Sequence, residues 1–224
     1  MLSIVIPMFN EEAYVNKIYN KIKTQKYDEL ILVDDGSSDK TYSLIRAIAK
    51  KDKKVKAVRM PKNTDMGGAL RAGTKKAKGD KIIWTMADMS DDFGLFSKIT
   101  SLLEDYDLVL PSRYMKGGSR GSMPLGKYMS AKVYSFFTRL LFRMPATDIT
   151  NAFRGFKKEV FEELQIESND FSISPEFAIK MHINKYKIVQ IPNTYYQRTE
   201  GKSSFRLFRM GLKYGLLWRF YFKK

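Results

Sequence analysis

The chain has 224 residues, 44% hydrophobic and 13% aromatic, enough for one domain with a substantial core or a domain plus a small appendage. It contains no cysteine, which excludes disulfides, thiolate metal sites and cysteine nucleophiles. The 40 Lys and Arg against 24 Asp and Glu give a net charge of +16, so polyanions are expected partners, yet no zinc spacing, RRM signature or basic heptad region points to nucleic acid.

The opening stretch MLSIVIPMFNEE is strand-like and reaches acids too early for a signal peptide. No apolar run approaches the roughly 20 residues that span a bilayer, so a soluble or peripheral chain is expected. Residues 2–7 predict a strand, and 11–24, with Ala13, Ile18 and Ile22 at helical spacing, a helix. A second buried strand at 29–33 is broken by Asp34, Asp35 and Gly36, and Thr41, Leu44, Ile45, Ile48 and Ala49 mark the helix after it. Strand 55–60, a helix over 67–77 opening on Gly67 and Gly68, strand 81–85, helix 93–103 and strand 107–111 continue the alternation. Such alternation predicts an α/β fold with a largely parallel sheet covered on both faces.

Beyond residue 111 the pattern changes. Residues 112–126 carry four Gly and three basic residues and read as a long loop. An amphipathic helix is expected over 127–144, with Val133, Phe136, Phe137, Leu140, Leu141 and Met144 on one face. Residues 145–156 look irregular, followed by helices near 157–164 and 175–184, strands near 187–191 and 194–197, and an aromatic, basic helix over 205–224.

The chemistry concentrates at two acidic strand ends. Ligands of parallel α/β sheets bind at the carboxyl ends of the strands, and both Asp34-Asp35 and the Asp88, Asp91, Asp92 group leave the sheet there. Carboxylates so placed suit a hard cation such as Mg²⁺ or Mn²⁺ that shares its shell with phosphates. The plainer alternative is that these acids cap the helices that follow.

Six segments in order carry a resemblance: SIVIPMFNEE (3–12), VDDGSSDKT (33–41), ADMSDD (87–92), PSRY (111–114), DITNAFRGF (148–156) and RTEGKS (198–203). Together they resemble the family 2 glycosyltransferases of GT-A fold, and among them the polyprenol-phosphate (dolichol-phosphate mannose synthase type) branch. The resemblance implies a Rossmann-like catalytic domain over 1–203 and a membrane-associated helix over 204–224. It implies that Pro7, Asn10, Glu11, Asp34 and Asp35 line the nucleotide end of a nucleotide-sugar site, with Asp35 accepting hydrogen bonds from the base. It further implies that Asp88, with Ser90, holds the metal bridging the donor diphosphate. Gly67 and Gly68 would let backbone approach the nucleotide, or serve a close contact within the fold. The chain departs from the family's Asp-X-Asp tip, reading Met86-Ala87-Asp88, so Asp91 or a water is expected to replace the missing carboxylate.

The acceptor follows from which groups are present. A sugar hydroxyl needs a general base, whereas a lipid phosphate is already anionic. The lone His182 falls in a predicted helix and reads as a packing or surface residue, and no QxxRW pattern is present. Loop cations are abundant: Arg113, Arg120, Lys127, Arg154, Arg198 and Lys202. By resemblance Arg113, Arg198 and Lys202 clamp acceptor and donor phosphates, with Lys127 and Ser130 next in line. The helices over 127–144 and 205–222 would then lie in a bilayer interface, the second with Arg206, Arg209 and Lys213 as a cationic stripe. The implied protein sits peripherally on the cytoplasmic face of a membrane, with membrane spans supplied by a partner or by further sequence. It moves a sugar, from GDP-mannose or a UDP-hexose, to a polyprenyl phosphate with inversion. Transfer to a glycan or glycolipid hydroxyl, with Asp148 or Asp91 as base, is the same-fold alternative. A catalytically silent module on anionic membrane or nucleic acid is the alternative from another class.

Overall fold

The computed structural model describes residues 1–196 and 207–223. Its centre is one seven-stranded sheet in the order β3-β2-β1-β4-β6-β5-β7. The strands are β1 (Leu2–Met8), β2 (Glu29–Asp34), β3 (Val55–Arg59), β4 (Lys81–Trp84), β5 (Leu108–Ser112), β6 (Arg154–Lys157) and β7 (Ile188–Pro192). Helices α1 (Glu12–Ile22), α2 (Thr41–Lys51), α3 (Asp65–Lys76) and α4 (Phe96–Leu102) connect the first five strands. Then follow α5 (Leu125–Phe142), α6 (Lys158–Glu163), α7 (Ile173–Ile183) and α8 (Leu207–Leu216), which runs into a 3₁₀ segment, Leu217–Lys223.

The strands form because their alternate residues each find a core. Ile4, Ile6 and Met8 of β1 join Leu30 and Leu32 of β2 on one face, under α1, α2 and α4. Val5, Ile31 and Val33 point the other way, toward α3 and α7. Burial on both faces explains why these strands read as unbroken apolar runs. On the second face Trp84 is fully buried, with its ring 4.8 Å from Phe156 and 5.4 Å from Phe161, and its indole N–H donates to Thr74 Oγ1 at 2.9 Å.

Three expectations need correction. The 145–156 stretch is not wholly irregular: Arg154–Lys157 is the strand β6, antiparallel to both β4 and β5. It carries no apolar run because Arg154 is itself a core residue and because Gly155 lies where an added Cβ would stand 2.1 Å from Ile99 of α4. The expected strand near 194–197 reduces, among the described residues, to an isolated bridge between Ser119 and Thr194. That bridge ties down the 112–126 loop, which Ser119 N–H secures further by donating to the Asn193 carbonyl at 2.9 Å. Finally, the C-terminal helix has packing partners: Tyr214 and Leu217 are buried, and the Tyr134 hydroxyl donates to the Tyr214 carbonyl at 3.1 Å.

Because β6 runs backwards, the residues before it, 148–153, arrive at the same sheet edge as the carboxyl ends of β1, β2, β4 and β5. That convergence builds the site.

Candidate active site

The region expected to take the nucleotide grows from the tips of β1 and β2. Pro7 pairs in register with Val33, and Met8 with Asp34. Beyond them Asn10 adopts a left-handed φ of 53°, its backbone N–H donates to Ser37 Oγ at 2.9 Å, and its Oδ1 accepts from Ser38 N–H at 3.0 Å. Glu11 N–H donates to Thr41 Oγ1 at 2.9 Å, so the two turns are laced together. Gly36, at φ 74°, has no alternative residue, since a Cβ there would meet Asn63 N and Lys62 C at 2.8 Å.

The paired acids of β2 divide their work. Asp34 is fully buried, accepts from Ser37 N–H at 3.3 Å and sits 3.5 Å from Arg59, whose guanidinium lies 4.6 Å from the Tyr42 ring centre. It braces the turn. Asp35 is almost as buried, but its Oδ1 accepts both from Thr64 N–H at 2.9 Å and from Thr64 Oγ1 at 2.7 Å. Burial raises the Asp35 carboxyl above the usual range, opposed by the two Thr64 hydrogen bonds.

Gly67 and Gly68 serve a close contact within the fold. A Cβ on Gly67 would stand 2.7 Å from the Asn169 carbonyl, one on Gly68 would stand 2.5 Å from Thr64 Oγ1, and Gly68 N–H donates to Asn169 O at 2.8 Å.

At the tip of β4 the three acids part ways. Asp92 caps the 3₁₀ turn Phe93–Leu95, its Oδ1 accepting from Gly94 N–H at 2.9 Å, as the plainer alternative anticipated. Asp91 turns inward: its Oδ2 accepts from Thr85 Oγ1 at 2.8 Å and from Met86 N–H at 2.9 Å, and burial pushes its pKa up to about 7. This removes Asp91 as the stand-in for the carboxylate missing at Met86. Asp88 remains, half-exposed, with one oxygen accepting from Ser90 N–H at 3.2 Å across Met89, which holds a left-handed φ of 60°. Ser90 is buried and its carbonyl accepts from Tyr196 N–H at 3.0 Å.

Among the described residues no group of three or more His, Asp or Glu is arranged to chelate a metal. The partly exposed Asp88 fits a cation of the Mg²⁺ type, which takes one or two protein carboxylates and fills its shell with substrate phosphate and water.

Arg113 is not the free fork expected of it. It is buried against Asp148, with Nε to Oδ2 at 2.7 Å and Nη2 to Oδ1 at 2.8 Å, and Nη2 also donates to Thr150 Oγ1 at 3.0 Å. This two-pronged pairing satisfies the geometry a phosphate would otherwise use, and it locks Asp148, which is therefore not placed as a base. Asp148 holds the Arg113 cation more firmly than usual despite burial. Arg154 is likewise no surface charge: it is fully buried, donates to the carbonyls of Ser174, Ile149 and Asn151, and burial lowers its pKa to about 9. Of the other cations, Arg120 donates to the Met123 carbonyl at 2.9 Å. Lys127 lies 6.0 Å from the Tyr195 ring centre, and Ser130 Oγ donates to the Lys127 carbonyl at 3.0 Å. Arg198 and Lys202 lie outside the described residues. His182 is a packing residue, its Nε2 2.9 Å from the Phe142 carbonyl.

Sequence reasoning missed Thr64, Arg71 and Asn151. Arg71 donates to the Ile166 and Glu167 carbonyls and to Asn169 Oδ1, fixing the loop on which α3 begins. Asn151 Nδ2 donates to the Pro111 carbonyl at 2.9 Å and holds the end of β5. For Thr64, a Thr at the N-cap of α3, four residues ahead of Gly68, was the available signal.

Helix α5 is turned inside out. Its inward residues include Ser135, Thr138 and Phe142, while Leu125, Met129, Val133, Phe136, Phe137 and Leu140 stand 44–67% exposed. At about 100° per residue, those six fill one arc of about 120°. The helix has no acidic residue, and exposed Lys132 and Arg139 border the arc. Leu141 and Met144, expected on the outward face, turn to the core instead. Trp218 N–H donates to Thr138 Oγ1 at 2.9 Å, so the C-terminal segment covers the polar side. Within that segment Lys213 pairs with Asp170 rather than facing outward, and Leu212 and Leu216 are 65% exposed. Arg206 and the side chain of Arg209 lie outside what is described. No described helix is long and apolar enough to cross a membrane.

The chain is 28% identical to a dolichol-phosphate mannosyltransferase of Pyrococcus furiosus over 92% of its own length, spanning 59% of that relative. It is 33% identical to an uncharacterised protein of Methanocaldococcus jannaschii, covering 86% of this chain and 81% of the relative. It is 29% identical to a UDP-N-acetylglucosamine–dolichyl-phosphate N-acetylglucosaminyltransferase of Methanococcus voltae, covering 86% and 84%. The α/β fold, a seven-stranded and mostly parallel sheet flanked by helices, is that of solved GT-A structures. Glucosyl-3-phosphoglycerate synthase from Mycobacterium tuberculosis, with UDP, superposes with a TM-score of 0.75 at 18% identity, over 99% of this chain and 79% of that one. The mannosyltransferase PcManGT from Pyrobaculum calidifontis, with GDP-Man and Mn²⁺, gives 0.67 at 17% identity, over 94% and 60%. The sequence pattern of glycosyl transferase family 2 matches residues 3–165, and the chain belongs to that family.

Proposed function

We propose that the protein transfers a sugar from a nucleotide-diphospho-sugar to a polyprenyl phosphate at the cytoplasmic face of a membrane. The observation that carries this reading is the pair of acidic strand tips flanking β1: Asp35, just past the end of β2, and the partly exposed Asp88 after β4. Two strand spacings, about 10 Å, separate them, a span suited to a nucleoside at one end and its diphosphate at the other. Pro7, Asn10 and Glu11 lie between. A divalent cation at Asp88, with Ser90 beside it, would offset the charge growing on the departing nucleoside diphosphate. Family relatives named for dolichol phosphate support the lipid acceptor, and so does the disposition of the acids and of His182. Asp91 faces inward, Asp148 is held by Arg113, and His182 serves packing, so among these described groups none is placed as a general base. A phosphate oxygen needs none: it attacks C1 from the face opposite the diphosphate as the C1–O bond breaks. Lys127, Ser130, Arg198 and Lys202 are the groups assigned to the acceptor phosphate. The apolar arc of α5, bordered by cations, rests on the lipid surface from which that acceptor is presented.

The test is to supply GDP-mannose, UDP-glucose and UDP-N-acetylglucosamine with Mn²⁺, offering undecaprenyl phosphate or a glycan acceptor. An acid-labile, lipid-linked sugar phosphate is expected. Transfer only to the glycan hydroxyl overturns the acceptor, and no transfer with any pair overturns the reading.

A further inference from the structure

Thr64 occupies a place in the donor site that its sequence position does not announce. We propose that Thr64, seated by Gly68, is a positioning residue that aims Asp35 at the nucleotide base and so sets the affinity for the donor. The inference rests on the nucleotide lying at Asp35, as proposed above.

The geometry is a short chain of contacts. Both hydrogen bonds from Thr64, N–H at 2.9 Å and Oγ1 at 2.7 Å, land on Oδ1 of Asp35. Oδ2 is left to accept from a ligand. The carboxyl plane is thereby set by a residue from a different element, 29 positions along the chain. Thr64 is itself held by its surroundings. A Cβ at Gly68 would lie 2.5 Å from Thr64 Oγ1 and 2.6 Å from Thr64 Cβ, so only glycine leaves the β-branched side chain in its present rotamer. The helix start cannot retreat to make room. Gly68 N–H donates to the Asn169 carbonyl, a Cβ at Gly67 would stand 2.7–2.8 Å from the backbone of Asn169 and Asp170, and Arg71 and Lys213 hold that loop from two further sides.

The charged groups around Asp35 make Thr64 more consequential. Asp34 on β2 and Asp65 at the head of α3 both oppose ionisation of Asp35, Lys62 lies in the adjoining loop, and burial opposes ionisation most. The Thr64 hydrogen bonds favour the charged form, in which the remaining oxygen, Oδ2, carries no proton and can only accept. Loss of the hydroxyl therefore acts on geometry and on protonation together.

The full chain is titrated calorimetrically with GDP and with UDP, each with Mn²⁺, between pH 5 and 8. Melting curves without ligand check folding. Thr64→Val, which keeps the shape and loses one hydrogen bond to a carboxylate, is expected to weaken the preferred nucleotide roughly tenfold. Its acid limb of binding should move to higher pH. Thr64→Ser should restore both affinity and limb, and Gly68→Ala, where it folds, should resemble Thr64→Val. Asp35→Asn separates the two ideas. If neither nucleotide binds the native chain, or Asp35→Asn binds as the native chain does, the placement of the nucleotide fails and takes this inference with it. If Asp35→Asn weakens binding while Thr64→Val leaves affinity and pH limb unchanged, the placement stands and the role of Thr64 is overturned.

Discussion

The two halves of the sheet edge are built by different physics. On the β1–β2–α3 side, short polar side chains and backbone N–H groups tie neighbouring turns together: Asn10 to Ser37 and Ser38, Glu11 to Thr41, Asp35 to Thr64. On the β5–β6 side the framework is two buried arginines, one paired with Asp148 and one donating only to carbonyls. Groups tied by local hydrogen bonds leave one face open to a ligand, whereas buried cations must be satisfied from within. The comparison teaches that Arg113 and Arg154 spend their charge within the scaffold, whereas Asp88 and Asp35 are the acids that the proposed function assigns to the ligand, though all four lie in family-like motifs.

The largest expected effect sharpens this division. Arg113→Ala strands Asp148 without its partner in a dry site and should cost on the order of 3–5 kcal/mol, read as a fall in melting temperature before any assay. Arg113→Met with Asp148→Leu should recover most of it. If the single change left stability untouched and abolished only turnover, Arg113 would belong to the ligand side after all.

Asp88→Ala should do the reverse. Melting temperature should stay within about a degree, since the group is half-exposed and makes only a local bond to Ser90 N–H. Turnover should fall about 10²–10³-fold, and chelation by EDTA should produce a similar loss.

A smaller effect probes the acid between the two sides. The Asp91 pKa is raised in the folded protein, to about 7, above its unfolded value of 3.8. The folded state therefore binds the extra proton between those values, and stability from this group is greatest at low pH and is lost as pH rises through 7. In metal-free buffer the decline across that interval should be on the order of 4 kcal/mol at most. Asp91→Asn, which retains an acceptor for Thr85 and Met86, should flatten the slope and melt higher at pH 8.

The smallest expected effect lies on α5. Phe136→Ser or Leu140→Ser should leave the melting temperature unchanged, since both side chains stand in solvent. Each should weaken binding to vesicles containing anionic lipid by about tenfold. Unchanged binding to vesicles would break the link between this arc and a membrane.

Much of the molecule was legible beforehand. Strands β1, β2, β4 and β5 and the helices after them announce themselves because both faces of the sheet are buried there, which leaves apolar runs separated by amphipathic spacing, while the edge strand β3 is only partly buried. The acidic strand ends were legible for the same reason, being the first polar residues after such runs. Strand β6 was not, because Arg-Gly-Phe-Lys reads as a loop until α4 is seen lying on Gly155 and carbonyls are seen closing on Arg154.

Side-chain direction was decided only by the tertiary structure. The order of residues along the chain determined the family, the sheet's main run and the location of its acids. It did not determine that Asp91 is buried while Asp88 keeps partial exposure, that Arg113 spends its fork on Asp148, or that the apolar arc of α5 faces away from the core. Each of those choices depends on partners 35 or more residues away or on a backbone φ of unusual sign, and neither leaves a mark in local composition.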